Sequence, residues 1–249
     1  MLLLTRLAAG CFILALPVFL ITTNVRFLAS DTGFYRHGFR EYHADRATGI
    51  SMADLDRAAG EIVSYFEDDS STLRIIVSLD GQETSLFNAR ETEHMKDVKT
   101  LMRFVYRANE ASLAVVLAYV VCVFLWARER SVRALAVQAL AGVGVGFAVV
   151  AAIGAFALTG FDAAWTRFHE IVFNNDLWLL NPATDHLIQM FPEGFWQEST
   201  IIVGALTLAE AAAIVVAALA YLVASRSKPV SERRAGRGPA PGPALPPTE

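Results

Sequence analysis

Apolar residues fall into four long runs along this chain: Leu7 to Leu28, Ala111 to Ala127, Ala134 to Leu158 and Ile201 to Ala224. Crossing a bilayer core takes roughly 20 mainly apolar residues in helical form. The pattern therefore predicts four transmembrane helices. They divide the chain into 1–28, 111–127, 134–158 and 201–224 as spans, with polar segments at 29–110 and 159–200, a short link at 128–133 and a tail at 225–249. The predicted fold class is an α-helical polytopic membrane protein with a small extracytoplasmic α+β domain between spans one and two. The first span is read as a retained anchor, because its apolar run is long for a signal peptide and no small-residue cleavage pattern follows it.

Within the first polar segment the periodicity changes. Ser51, with Asp54 three residues on, reads as a capped helix start, and Leu55, Ile62, Tyr65 and Phe66 form an apolar stripe behind it. Residues 73–79 are rich in β-branched side chains, and Asp80-Gly81 separates them from 83–87. That pair suits a tight hairpin turn with positive φ. A further amphipathic helix is predicted from about Arg90 to Arg107, feeding span two. The second polar segment is dense in aromatics, including Trp165, Phe168, Phe173, Trp178 and Trp196. It predicts an interfacial helix from Asp162 to Phe173, a loop over 174–184, a short helix ending near Met190 and a break at Pro192.

Charge orients these spans. Arg6 precedes span one, Arg128, Arg130 and Arg133 crowd the link after span two, and Arg226, Lys228, Arg233, Arg234 and Arg237 follow span four. All three sites share one face, which the positive-inside rule makes cytoplasmic. Both termini then lie inside and both large polar segments outside. The net charge of −4 conceals a basic inner face and an acidic outer one. No basic stripe faces a soluble partner, so no nucleic-acid partner is expected. The tail is basic and then rich in Pro, Ala and Gly, a disordered composition.

Candidate chemistry is sparse. Cys11 and Cys122 both fall inside spans, where they read as core packing, so no disulfide framework or thiolate site is expected. No serine elbow and no glycine-rich phosphate loop occurs. His169-Glu170 begins a zinc-protease pattern, but position 173 is Phe, so the second ligand is missing. A metal shared by His94 and His169 needs a third ligand, for which Asp176 is the candidate. Gly142-x-x-x-Gly146 permits close helix approach, and Glu210 is an acid within span four. His94 and His169 stand out, since each sits in a polar stretch beside a span, and a near-neutral pKa suits proton transfer. Glu91 and Asp97, three residues either side of His94, share its helical face. Arg26 at the outer end of span one reads either as a snorkelling anchor or as a cation holding a lipid group beside the histidines.

Several strings are distinctive: FYRHGFREY from Phe34, TGIS from Thr48, LFNARETEHMKDVK from Leu86 and FHEIVFNNDLWLLNPATDHLIQMFPEGFW from Phe168. On these strings the chain resembles the family of bacterial integral membrane proteins that includes the lipoprotein intramolecular transacylase. The resemblance implies an enzyme that moves the sn-2 acyl chain of a diacylglyceryl-cysteine lipoprotein to the α-amine of the same cysteine. It implies His94 and His169 as catalytic residues, no cofactor or metal, and a lipoprotein N-terminus with membrane lipid as partners, at the outer face of the bacterial cytoplasmic membrane. The family pattern carries Asp where this chain has Asn181. Arg26, Asn175, Asp176 and Asp97 are the candidates for positioning substrate, and His169, set among apolar residues that favour the neutral ring, is the candidate base. Two other readings differ in chemistry. One is a scaffold that binds lipid or a partner with structural histidines; the other is a metal-dependent lipid hydrolase.

Overall fold

A computed structural model describes residues 2–125, 129–157 and 160–226. Among the described residues, four helices are long and apolar enough to cross a membrane: α1 (Leu2–Ala29), α5 (Ala89–Leu125), α6 (Glu129–Ala157) and α9 (Glu193–Ala224). Between α1 and α5 lie α2 (Thr32–Glu41), α3 (Ala44–Thr48), α4 (Met52–Glu67) and the strands β1 (Ile76–Leu79) and β2 (Gln82–Ser85). Between α6 and α9 lie α7 (Phe161–Val172) and α8 (His186–Met190). The tail from residue 227 lies outside the described residues.

Local chemistry sets these boundaries. Ser51 Oγ accepts the Asp54 amide and caps α4, as its spacing predicts. The strands pair antiparallel with Leu79 opposite Gln82, and Asp80 and Gly81, both at positive φ, close the turn. The amphipathic and apolar halves of α5 form one continuous helix of 37 residues. The α2 helix was not evident from periodicity. Asp31 caps it by accepting the Gly33 amide, and it buries Tyr35 and Phe39 one turn apart.

The two polar segments share one core. Phe39, Leu55, Ile62, Ile75 and Leu86 pack with Leu187, Met190, Phe191 and Phe195 from the α8 corner and the start of α9. Gly38 and Gly194 permit this closeness, since a Cβ at either would overlap the ring of Phe195 or Tyr42. Burying these side chains contributes about 1.5–3 kcal/mol each. It also fixes the first turns of α5 against the segment carrying α7.

Among the spans, α6 lies close on α1. A Cβ on Gly142 would meet the Ile13 carbonyl and Leu16, and one on Gly146 would meet Pro17, which removes a backbone donor within α1. Polar side chains join the spans at one level. Asn24 donates to Thr207 Oγ1 and to Glu210 Oε2, while Asn109 donates to Thr22 and Thr23. The intramembrane acid is thus held by a neutral amide on α1. Cys11 and Cys122 are exposed on the helix surfaces rather than packed in the core, as small apolar side chains on lipid-facing positions.

Candidate active site

His94 lies in the second turn of α5, and His169 in the last turn of α7. The two elements meet at these rings, leaving His94 6% and His169 8% exposed. Their ring centroids are 6.1 Å apart with planes 36° from parallel. Phe173, just past the end of α7, touches both rings, at 5.2 Å from His94 and 5.5 Å from His169. Trp165 and Trp178 cover His169 at 4.7 and 5.0 Å. The pair therefore sits in an aromatic box.

The hydrogen bonds assign a protonation state. His169 Nδ1 lies 2.8 Å from the Trp165 carbonyl. A carbonyl only accepts, so Nδ1 carries the proton and Nε2 keeps a free lone pair. His94 Nδ1 is buried without a hydrogen-bond partner among the described residues. Burial, and then the neighbouring His169, pull the His94 pKa down to about 4. Burial also lowers that of His169, against the opposing pull of the Trp165 carbonyl. Both rings are neutral at pH 7. The arrangement offers one imidazole lone pair and a second neutral imidazole across a small gap.

Asp97 and Asn175 meet at the rim, where Asn175 Nδ2 donates to Asp97 Oδ2 at 2.9 Å. Asp97 raises the His94 pKa through its charge, though less than burial lowers it. Asp176 contributes its backbone carbonyl, which accepts from Arg90. These two bonds tie the loop after α7 to the first turns of α5. No group of three or more metal-ligating side chains occurs among the described residues, so Asp176 does not complete a site with the histidines.

Arg26 is not brought to the pair. Its guanidinium binds Glu110 at 3.0 Å and lies over the Tyr106 ring. Glu110 lies 16 residues beyond His94 on α5, or about 24 Å along the helix. The reason is topological: α1 runs beside the apolar half of α5 and ends at Ala29, short of the histidines. Glu91 does not orient His94 by direct contact either; its carboxylate turns to backbone amides. Phe173 and Trp178 belong to the site and were legible only as members of an aromatic-rich stretch.

A family profile described as lipoprotein intramolecular transacylase, Lit, matches residues 11–196. The chain belongs to the Lit family. It is an integral membrane protein of a transferase family that modifies lipoproteins. Its fold is similar to the solved structure of the membrane integral lipoprotein intramolecular transacylase Lit from Bacillus cereus, with a TM-score of 0.71 and 13% identity, covering 92% of this chain and 100% of that one. A structure of the same Bacillus cereus protein with one histidine replaced by arginine aligns with a TM-score of 0.68 and 13% identity, over 89% and 93% of the two chains. At that identity the likeness shows the fold. An uncharacterized protein from Aquifex aeolicus is 26% identical over 121 residues, which is 49% of this chain. That alignment spans 51% of the relative's length, about half. In this Lit-family chain both candidate histidines fall within the matched residues.

Proposed function

We propose that this protein moves the sn-2 acyl chain of a diacylglyceryl-cysteine lipoprotein to the α-amine of the same cysteine, leaving a lyso-form lipoprotein. The observation that carries the reading is the His94–His169 pair, buried, neutral and 6.1 Å apart, in a chain of the Lit family. The reaction is an isomerisation. The amine nitrogen bonds to the ester carbonyl carbon, the carbonyl–glyceryl oxygen bond breaks, and the amine proton ends on the glyceryl oxygen. Amine and ester share one molecule, so the attack is unimolecular and benefits from high effective concentration.

His169 is the base. Its Nε2 lone pair takes the proton shed by the attacking amine, and the resulting imidazolium returns it to the leaving oxygen. Its Nδ1–H on the Trp165 carbonyl holds the tautomer this role needs. His94 is neutral, with one ring N–H to offer to the developing oxyanion or leaving oxygen. Asp97 and Asn175 fix the loop that closes the rim. Arg26, distant from the pair, acts as an anchor at the membrane boundary.

The substrate's lipid must reach this box. Ile171, 80% exposed, and the exposed Phe168 and Leu179 form an apolar outer side to α7 and its loop, and Phe168 touches both His169 and Phe173. An apolar surface leading to the rings suits access from the outer leaflet. The positive residues at the opposite ends of the spans support a reading with the pair on the outer face and both termini inside. The test is expression with a reporter lipoprotein in a host that cannot N-acylate from phospholipid. His94→Ala and His169→Ala, inserted and folded, are expected to leave the reporter in its diacylglyceryl form. Parent-rate conversion by either variant contradicts the assignment, and no conversion by the parent favours a binding role.

A further inference from the structure

One buried carboxylate near the pair has no part in the chemistry. Glu91 is 1% exposed and lies one turn before His94. Its Oε2 accepts the Asn88 amide at 2.7 Å, while Asn88 Oδ1 accepts the Glu91 amide. That reciprocal arrangement is a capping box at the start of α5. Its Oε1 reaches further and accepts the Leu187 amide of α8 at 2.6 Å, across 96 residues of sequence. Two bonds flank this one. Asn88 Nδ2 donates to Asp185 Oδ1, and the imidazole of His186 donates from Nδ1 to the Leu86 carbonyl. The strings around His94 and around Asp185 therefore interlock as a latch.

We infer that Glu91 is the positioning residue of the histidine pair: by clamping the first turn of α5 to α8, its carboxylate sets the placement of His94 against His169. The argument rests on helix ends. The first turn of a helix has amides without intrahelical partners and frays unless they are satisfied. His94 sits five residues from the start of α5. Reactive groups need placement to within about 0.5 Å. A carboxylate bonded to the amide of the residue capping its own helix and to one amide of α8 removes the fraying and fixes the far end of the loop bearing Trp178. Asp185 and His186 are the other titratable groups facing Glu91, and both are engaged in the latch.

The inference rests on the proposed reaction for its kinetic test but has a second readout that does not. Glu91→Gln keeps one carbonyl oxygen and turns an NH2 towards a backbone N–H, breaking one arm of the latch. Asn88→Ala removes the bond to Asp185 and the Asn88 arm of the capping box, while Asp185 keeps Asn181 and Thr184 as donors, and serves if the first variant does not fold. With protein in nanodiscs, kcat is expected to fall about tenfold or more in Glu91→Gln, with KM within about twofold of the parent. In the imidazole NMR titration, His94 is expected to titrate higher than in the parent as its ring becomes wetter. A role confined to stability would lower the folded fraction and leave kcat per folded molecule and both titrations at parent values; that result overturns the inference. If the parent itself converts nothing, the proposed reaction fails, and the titration alone decides the latch: an unmoved His94 in both variants overturns it.

Discussion

Lowering the pH from 7 to 4 is expected to destabilise the fold, with His94 accounting for much of the loss. The ring is buried as a neutral group, and its pKa falls from an ordinary 6.5 to about 4. The unfolded chain therefore takes up a proton near pH 6.5 that the folded chain refuses until about pH 4. Stability is full above 6.5, declines as the pH falls through this window, and is constant again below it. At about 1.4 kcal/mol per pH unit, the interval corresponds to about 3 kcal/mol. The carboxylates with lowered pKa, Asp54 and Asp68, act in a separate window: their contribution is present above 3.8 and is lost as the pH falls below it, for Asp68 through about 2. Glu91 acts in the opposite direction, since burial raises its pKa and acid relieves that cost. The comparison that isolates His94 is thus parent against His94→Gln. Reversible unfolding by sodium dodecyl sulfate in mixed micelles, followed at several pH values between 7 and 4, measures both. The parent is expected to lose about 3 kcal/mol more than the variant over that range. Equal losses in the two proteins would refute the buried, neutral assignment and with it the electrostatic description of the site.

Four further outcomes follow from the geometry. Phe173→Ala removes the ring that touches both histidines, and should cost about 3 kcal/mol or more in stability and lower conversion with it, read by unfolding and by turnover. Glu210→Gln keeps an oxygen for the Asn24 amide and should leave stability within about 0.5 kcal/mol, whereas Glu210→Leu removes one of the three acceptors around that amide, leaving the Leu20 carbonyl and Thr207, and should cost about 1 kcal/mol. Asn175→Ala frees Asp97 and loosens the loop after α7, expected as faster hydrogen exchange over 174–180. Ile171→Asp places a charge on the apolar side of α7 and should slow conversion of vesicle-bound substrate more than that of a short-chain, micellar one.

How far the chain could be read from sequence depended on the range of the interactions involved. The spans were legible because a bilayer selects for long apolar runs, and α4 and the hairpin because Ser51 and Asp80-Gly81 are local signals. The histidine pair was legible through its residue type, its place beside spans and the resemblance of the surrounding strings. Contacts made by folding were not. The meeting of Glu91 with Leu187 joins residues 96 apart, so its spacing to His94 suggested a direct contact that the backbone amides pre-empt. The α2 helix was not legible because its ten residues hold too few turns for the Tyr35–Phe39 spacing to establish a period. Arg26 was drawn to the histidines by its place at a span end, but the two sites sit at different heights along α5.

The central claim is an intramolecular acyl shift at the histidine pair. Purified protein in vesicles, given an equal mixture of two diacylglyceryl-cysteinyl peptides of different sequence, one with a heavy sn-2 chain, tests it most directly. Tandem mass spectrometry of each peptide is expected to show unchanged total mass, one acyl on the amine and one on the glycerol, with the heavy label only on its original peptide. The His169→Ala protein should leave both peptides as supplied. Label crossing between peptides, free fatty acid in place of an N-acyl product, or equal conversion by the variant would contradict the account.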